Sequence, residues 1–345
     1  MFLGIKNRLE SELKNYTRTI NNAYPLNKLS PLLFNKIKEF ISRDGKRVRP
    51  ILFCIGYLGF AKKETKGLYR SALSLELLHD FMLVHDDIID KSDIRRGKPS
   101  MHSLFNQYLK NKKVKFSGED LSIIVGDVIY ALALDAFLAI EEALPRKELA
   151  LKKLISAALY TGSGEFIELL LGAKTIEKTT KADIYKIYDY KTANYTFASP
   201  LSMGAILAGA TKNEINKLID YGMNLGRAFQ IKDDIIGTFG ESSQIGKSNL
   251  TDLSEAKKTI LIWYAYQNSN SQARIKIKNV LSGKNSGKKE LLEMRDLISE
   301  SGSLNHAKRE IKNLLGKSEK IIKSSKISKE YRAALINFSR KILSI

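Results

Sequence analysis

Apolar residues along this chain recur at intervals of three and four rather than two, the period of a helix with one buried face. Residues 68–90, LYRSALSLELLHDFMLVHDDIID, place Leu68, Ala72, Leu75, Leu78, Met82 and Ile89 on one broad stripe, and residues 214–237 and 257–267 follow the same rule. No stretch of strict alternation is bounded by turn residues, so strands are expected to be incidental. Breaks fall at Asp44-Gly45, Lys91 to Pro99, Lys110 to Glu119, Pro145, Phe239 to Asp252 and Ser282 to Gly287. No repeat of fixed period emerges, and no linker separates two halves. The pattern predicts one all-α domain over residues 1–345.

Length and composition agree with that reading. A chain of 345 residues, 43% apolar and 27% charged, can bury a full core. Its single cysteine, Cys54, excludes an intramolecular disulfide and a cysteine-based zinc site and suits a reducing, cytoplasmic setting. The four histidines are too scattered for a histidine metal cluster. The first residues, MFLGIKNRLESELKNY, interleave charges from Lys6 onward and do not read as a secretory signal. Residues 121–140 form the best membrane-spanning candidate, yet Asp127 and Asp135 interrupt them, so a buried core helix in a soluble protein is expected.

The net charge is +20, and residues 268–345, with 18 Lys+Arg against 7 Asp+Glu, hold +11 of it. This basic segment spaces its cations helically between Ile and Leu. That pattern fits a solvated face and leaves open a polyanionic partner or peripheral contact with an anionic membrane surface. No zinc finger, heptad basic region or RNA-binding signature is present, so no nucleic-acid partner is expected.

The strongest chemical signal is Asp86-Asp87-Ile88-Ile89-Asp90. On a helix Asp86 and Asp90 project from one face, where like charges repel, at a C-terminal end that already disfavours anions. A hard divalent cation such as Mg²⁺ removes that cost, taking carboxylate oxygens together with substrate phosphates and water. A second acidic pair, Asp233-Asp234, closes another apolar helical run in FQIKDDIIG. Two acidic helix ends facing one cavity would make a multi-metal diphosphate clamp. Phosphate-binding cations are available in Gly45-Lys46-Arg47-Val48-Arg49-Pro50, Arg95-Arg96-Gly97, Lys191-Thr192, Gly246-Lys247 and Lys257.

Taken together, GKRVRP, LLHDFMLVHDDIIDKSDIRRGKPSMH, GDVIYALA, KTA, FQIKDDIIG and GK…DLSEAKKT stand in the order and spacing of the trans-isoprenyl diphosphate synthases, from about Lys28 to Thr259. The chain resembles that family, closest in pattern to archaeal-type geranylgeranyl diphosphate synthases. The resemblance implies a single large helical bundle around a central apolar cavity, the isoprenoid synthase fold, and a homodimer. It implies Mg²⁺, about three ions per active site, held by Asp86, Asp87, Asp90, Asp233 and Asp234. By the same resemblance Lys46, Arg49, His79 and Arg96 bind isopentenyl diphosphate, and Arg95, Lys191, Lys247 and Lys257 contact the allylic diphosphate. Thr192 and Gln230 match positions near the allylic carbons. The implied reaction is head-to-tail condensation of isopentenyl diphosphate with a dimethylallyl, geranyl or farnesyl diphosphate.

Three departures stand out. Gly237 occupies the place of a common third aspartate, Ala256 that of the usual glycine before Lys257, and Glu165 and Glu168 those of commoner Gln and Asp. Product length in the family is limited by bulk just before the first acidic motif. Ideal helix geometry sets Met82 roughly 40° and Phe81 about 140° from Asp86, so geometry nominates Met82 as the floor and the family pattern nominates Phe81. The aromatic at Phe81 points to a twenty-carbon product. A farnesyl or longer-chain synthase, a terpene cyclase and a non-catalytic partner subunit are the alternatives.

Overall fold

The computed structural model describes residues 1–240, 253, 255–283 and 287–344. It is all-α apart from one two-residue ribbon, as the period of the sequence predicts. The chain forms two compact units, Met1–Leu154 with Met203–Ala210, and Ile155–Ser202 with Thr211–Ile345. Two of the three boundaries, after Leu154 and after Ser202, fall within helices, and the third, after Ala210, falls in the short turn between Leu207 and Lys212.

The first unit contains α1 (Phe2–Ala23), α2 (Leu26–Leu29), α3 (Pro31–Ile41), α4 (Val48–Leu58), α5 (Leu68–Ile89), the strands β1 (Ile94–Arg95) and β2 (Lys98–Pro99), α6 (Met101–Leu109), α7 (Gly118–Leu138) and the start of α8 (Leu144–Ala173). Helix α5 is central, packed against α7, α4 and α1. The expected broad stripe does not cover all that is buried. Leu73, Ser74, Glu76 and Leu77 are buried as fully as Ala72, Leu75 and Leu78, while Ile89 is 42% exposed. Being surrounded on several sides, α5 is buried nearly all round in its first half, and its end emerges with the acidic motif.

Helix α7 starts at a capping box in which Ser117 and Asp120 satisfy each other's backbone N–H groups. By length and composition α7 and α8 could each cross a membrane. In α7, Val125, Ile129, Leu132, Ala133, Ala136 and Phe137 are buried, while Ile123, Ile124 and Leu138 are exposed. The core-helix expectation therefore holds for one face of α7 only. Asp135 accepts hydrogen bonds from Tyr16 and Tyr24 at 3.1 and 3.0 Å.

The second unit takes up the rest of α8, a 3₁₀ turn (Ile176–Lys178), α9 (Lys181–Ile187), a π-helical segment (Tyr188–Ala198), the first residues of α10 (Ser199–Leu207), and α11 (Lys212–Phe239). It continues through α12 (Ile260–Asn268), α13 (Ser271–Leu281), α14 (Lys288–Glu300), α15 (Ser303–Lys323) and α16 (Lys329–Leu343). Helix α11 is its spine, lying between the π-helical segment and α15. It runs against that segment so closely that a Cβ on Gly226 would stand 2.3 Å from Ala193 Cα.

That approach generates a prediction. Gly226→Ala must push α11 off the π-helical backbone and should destabilise the fold by about 1–3 kcal/mol. Denaturant unfolding measures it; an unchanged midpoint would show that the two segments separate freely.

Candidate functional site

In the first unit the site begins with two buried arginines. Arg43 donates to the carbonyls of Arg95 and Pro99 at 3.3 and 3.0 Å and so pins the ribbon from α3's end. Arg47 is 2% exposed and caps α4 in the left-handed region at φ 50°. Its guanidinium pairs with Glu10 at 2.9 Å and Glu76 at 2.7 Å and donates to the Arg43 carbonyl at 2.8 Å. Buried charges persist only when paired in this way. Of the other two cations in this motif, Lys46 is exposed and Arg49 half-buried.

The ribbon β1–β2 pairs Ile94 with Pro99 and Arg95 with Lys98, leaving Arg96 and Gly97 as a two-residue loop. Both have positive φ, 55° and 72°, the signature of a tight type I′ hairpin turn. That turn sends consecutive arginines to different partners. Arg95 donates from Nε to Asp87 at 2.8 Å, also pairs with Asp87 through Nη2, and lies 3.5 Å from Asp86. Arg96 lies 3.2 Å from Asp80 and 3.5 Å from Glu76. One arginine thus serves the acidic motif, and the other serves a deeper acidic pair about two to three turns upstream on α5.

Electrostatics separate these carboxylates further. Burial, with the neighbouring Glu76 carboxylate, raises Asp80 to about 8 against the pull of Arg96, Arg47 and Arg49. Burial and the positive field of Arg49 and Arg96 hold His79 well below its usual range, so at neutral pH it offers an uncharged ring. Phe81 turns toward α7, its ring centroid 4.7 Å from that of His85 and 5.1 Å from that of Tyr130. Met82 is half-buried. A Cβ on Gly126 would meet His85 at 2.3 Å and the Phe81 ring at 3.5 Å, so this glycine makes room for both rings.

In the second unit the residues lie on α11 and the π-helical segment. Thr192 donates to Gln230 at 2.6 Å, Gln230 donates to Asp234 at 3.1 Å, and Tyr188 donates to the other Asp234 oxygen. The Tyr188 oxygen in turn accepts the backbone N–H of Ile260 at 3.0 Å. Asp234 is 3% exposed and Asp233 half-buried. Lys191 lies between Glu165 at 2.6 Å and Glu168 at 2.5 Å on α8. The segment is π-helical rather than the ordinary helix expected; such turns are rare and cluster at functional sites. Helix α11 also runs on past the acidic pair to Phe239, with Gly237 inside its last turn. Lys257 pairs with Glu255 at 2.6 Å, and Ala256 between them holds φ 54°, where glycine is ordinarily required. Lys247 lies outside the described residues.

Among the described residues no three His, Cys, Asp or Glu side chains already converge as a metal cage. The donors nevertheless suit Mg²⁺: they are hard carboxylate oxygens, and a cationic guanidinium already rests against Asp86 and Asp87. The spacing of the sequence missed Arg47, Glu76, Asp80, Tyr188 and the clasp of Glu165 and Glu168 on Lys191. Glu76 and Asp80 carried a readable signal, a second i,i+4 acid pair within an apolar run.

Comparison with known proteins follows the same lines. Residues 30–298 match the model of the Polyprenyl synthetase family. The geranylgeranyl diphosphate synthase of Sulfolobus acidocaldarius is 30% identical over 270 residues, 78% of this chain and 77% of that one. The geranylfarnesyl diphosphate synthase of Aeropyrum pernix is 31% identical over 275 residues, 78% and 80% of the two chains. A geranylgeranyl pyrophosphate synthase from Corynebacterium glutamicum, solved with isoprenyl diphosphate and magnesium, superposes with a TM-score of 0.89 at 24% identity, covering 99% of this chain and 98% of that one.

Asp80 supplies a pH test. An unfolded aspartate loses its proton near 3.9, whereas folded Asp80 keeps it to about 8. Across that window the folded state binds the extra proton, so its contribution to stability is complete at low pH and is lost as pH rises. Unfolding midpoints measured from about pH 4 to pH 8 should therefore fall more steeply for the wild type than for Asp80→Asn. Parallel curves would contradict the assignment.

Proposed function

Because the chain belongs to the polyprenyl synthetase family, a family of metal-dependent prenyltransferases, we propose that it condenses isopentenyl diphosphate with an allylic diphosphate to give geranylgeranyl diphosphate. The observation that carries this reading beyond family membership is the division of labour between Arg95 and Arg96. One is engaged with Asp86 and Asp87, the other with Glu76 and Asp80, so the turn that begins at Arg96 aims adjacent guanidiniums at two different sets of carboxylates. A reaction of two diphosphates requires such separation.

In this proposal Asp86, Asp87 and Asp90, and Asp233 and Asp234, hold about three Mg²⁺ ions on the allylic diphosphate. Bound Mg²⁺ supplies Lewis-acid stabilisation of the departing diphosphate. Arg95 exchanges its carboxylate partner for a phosphate oxygen, keeping a charge-assisted pair throughout. Lys191, Lys247 and Lys257 add positive charge where the leaving group gains negative charge. Thr192 and Gln230 present oxygen dipoles toward the allylic carbons. Lys46, Arg49 and Arg96 bind isopentenyl diphosphate beside the uncharged His79, which donates a hydrogen bond without competing for the anion. Positioned this way, the isopentenyl double bond attacks the allylic cation at near-attack distance. The released diphosphate takes the proton lost in the last step, and apolar walls keep water from the cation.

We also propose that the chain acts as one catalytic domain, in the cytoplasm, and pairs as a homodimer. Exposed apolar side chains support the pairing: Ile123, Ile124 and Leu138 on α7, and Phe166, Leu169 and Leu170 on α8, each 44–63% exposed. Phe81 is the floor for the growing chain, its ring braced by His85 and Tyr130.

The direct test incubates purified protein with Mg²⁺, labelled isopentenyl diphosphate and each of the dimethylallyl, geranyl and farnesyl primers. A dominant twenty-carbon prenyl alcohol after dephosphorylation is expected, and EDTA should abolish it. No elongation with any primer by folded protein would overturn the synthase reading. Phe81→Ala should shift the product to twenty-five carbons or more; an unchanged product would remove Phe81 as the floor.

A further inference from the structure

Helix α15 carries a band of cations that the reaction does not use. Ala307, Ile311, Leu314, Ser318 and Ile322 form its buried face, and Ser318 donates to the Tyr221 carbonyl of α11 at 3.3 Å. The opposite face exposes Lys308, Arg309, Lys312, Lys317, Lys320 and Lys323. At about 100° per residue these six fall within roughly half the circumference, along about 22 Å of helix.

The helix's own acids do not neutralise that band. Glu310 is taken by Lys181 at 3.2 Å and Tyr185 at 2.6 Å, and Glu319 by Arg340 at 2.6 Å. Lys323 alone of the six lies near a carboxylate, 3.7 Å from Glu319. Among the described residues, none of the other five has a carboxylate within ion-pair distance. A solvated helix face ordinarily interleaves acids with bases, so a stripe of one sign favours a polyanion.

We infer that this face of α15 docks the protein on an anionic lipid bilayer. The chemistry of the face selects that partner. Five of the six cations are lysines, point charges on flexible stems that suit diffuse headgroup charge better than the fixed forks of arginine suit base edges. The remaining exposed positions along it, Asn305, Asn313 and Gly316, include no aromatic ring on which bases could stack and no apolar side chain for an acidic peptide to cover. Cations gathered on one face along about 22 Å of helix match the extended charge of a headgroup plane. Resting on the synthase reading, the location also makes sense of the product, an amphiphile whose twenty-carbon chain belongs in a bilayer.

The test is co-sedimentation of the full chain with vesicles of phosphatidylglycerol mixed with phosphatidylcholine, and with phosphatidylcholine alone. Wild-type protein should bind only the anionic vesicles and be released by salt. The variant Lys308→Gln, Lys312→Gln, Lys320→Gln, Lys323→Gln should lose roughly five-fold in partitioning per lysine, on the order of 10²-fold or more in total. A charge-matched control, Lys110→Gln, Lys112→Gln, Lys113→Gln, Lys115→Gln, removes exposed lysines from the loop before α7 and should bind as wild type. Equal losses in both variants, or no loss in the first, would overturn the inference, as would duplex DNA displacing the protein from vesicles at equivalent phosphate. Elongation measured without vesicles should be unchanged in the α15 variant. If elongation were absent in every protein while vesicle binding still followed the α15 lysines, the synthase reading would fail and the docking would stand.

Discussion

The carboxylates of α5 cannot be left bare. Glu76, Asp80 and Asp87 are buried, Asp86 and Asp90 half-buried, on a helix whose other neighbours are largely apolar. An ionised carboxylate in such surroundings costs several kcal/mol unless it is paired or protonated. The first unit meets that cost in three ways. Arg47 is driven into the interior to pair with Glu76, Asp80 keeps its proton to about 8, and the hairpin turn delivers Arg95 and Arg96 to separate carboxylates. In the proposed reaction Arg95 would turn from carboxylate to phosphate oxygen only as Mg²⁺ took its place on Asp86 and Asp87, so that neither side was left unpaired.

The second unit solves a related problem by hydrogen bonding. Asp234 is nearly inaccessible and draws donors from both sides, Tyr188 and Gln230, with Gln230 fixed in turn by Thr192. Burial and the Asp234 carboxylate push the Tyr188 phenol well above its usual range, so the tyrosine stays a donor. The glycines of α11 allow this. With Gly222 and Gly226 against the π-helical backbone, Gln230 on α11 comes within reach of Thr192.

Much of this was legible in the sequence because it is written locally. Helix period and breaks predict the all-α class and the helical course of residues 68–90 and 214–237, and the motifs around Asp86 and Asp233 point to the proposed site. The rest depends on partners distant in the chain. Nothing in GKRVRP says that Arg47 turns inward while Lys46 does not; that is decided by Glu10 and Glu76, 37 and 29 residues away. The π-helical segment leaves no trace in a three-and-four-residue period. Ile89 looked like core because period alone cannot tell where α5 leaves the interior. Ala256, noted as a departure from glycine, does occupy a left-handed backbone position. Glu165 and Glu168 appeared only as unusual residues, and their clasp on Lys191 emerges once α8 is placed beside the π-helical segment.

The separate duties proposed for Arg95 and Arg96 are open to the most direct measurement. Steady-state kinetics of Arg95→Gln and Arg96→Gln, varying each diphosphate in turn, should split. Arg96→Gln is expected to raise KM for isopentenyl diphosphate by about ten-fold or more with little change in KM for the allylic primer, since a charge-assisted pair to phosphate is lost at one position only. Arg95→Gln should lower kcat and weaken the allylic diphosphate instead. Equal effects of both substitutions on both substrates would contradict the proposed division.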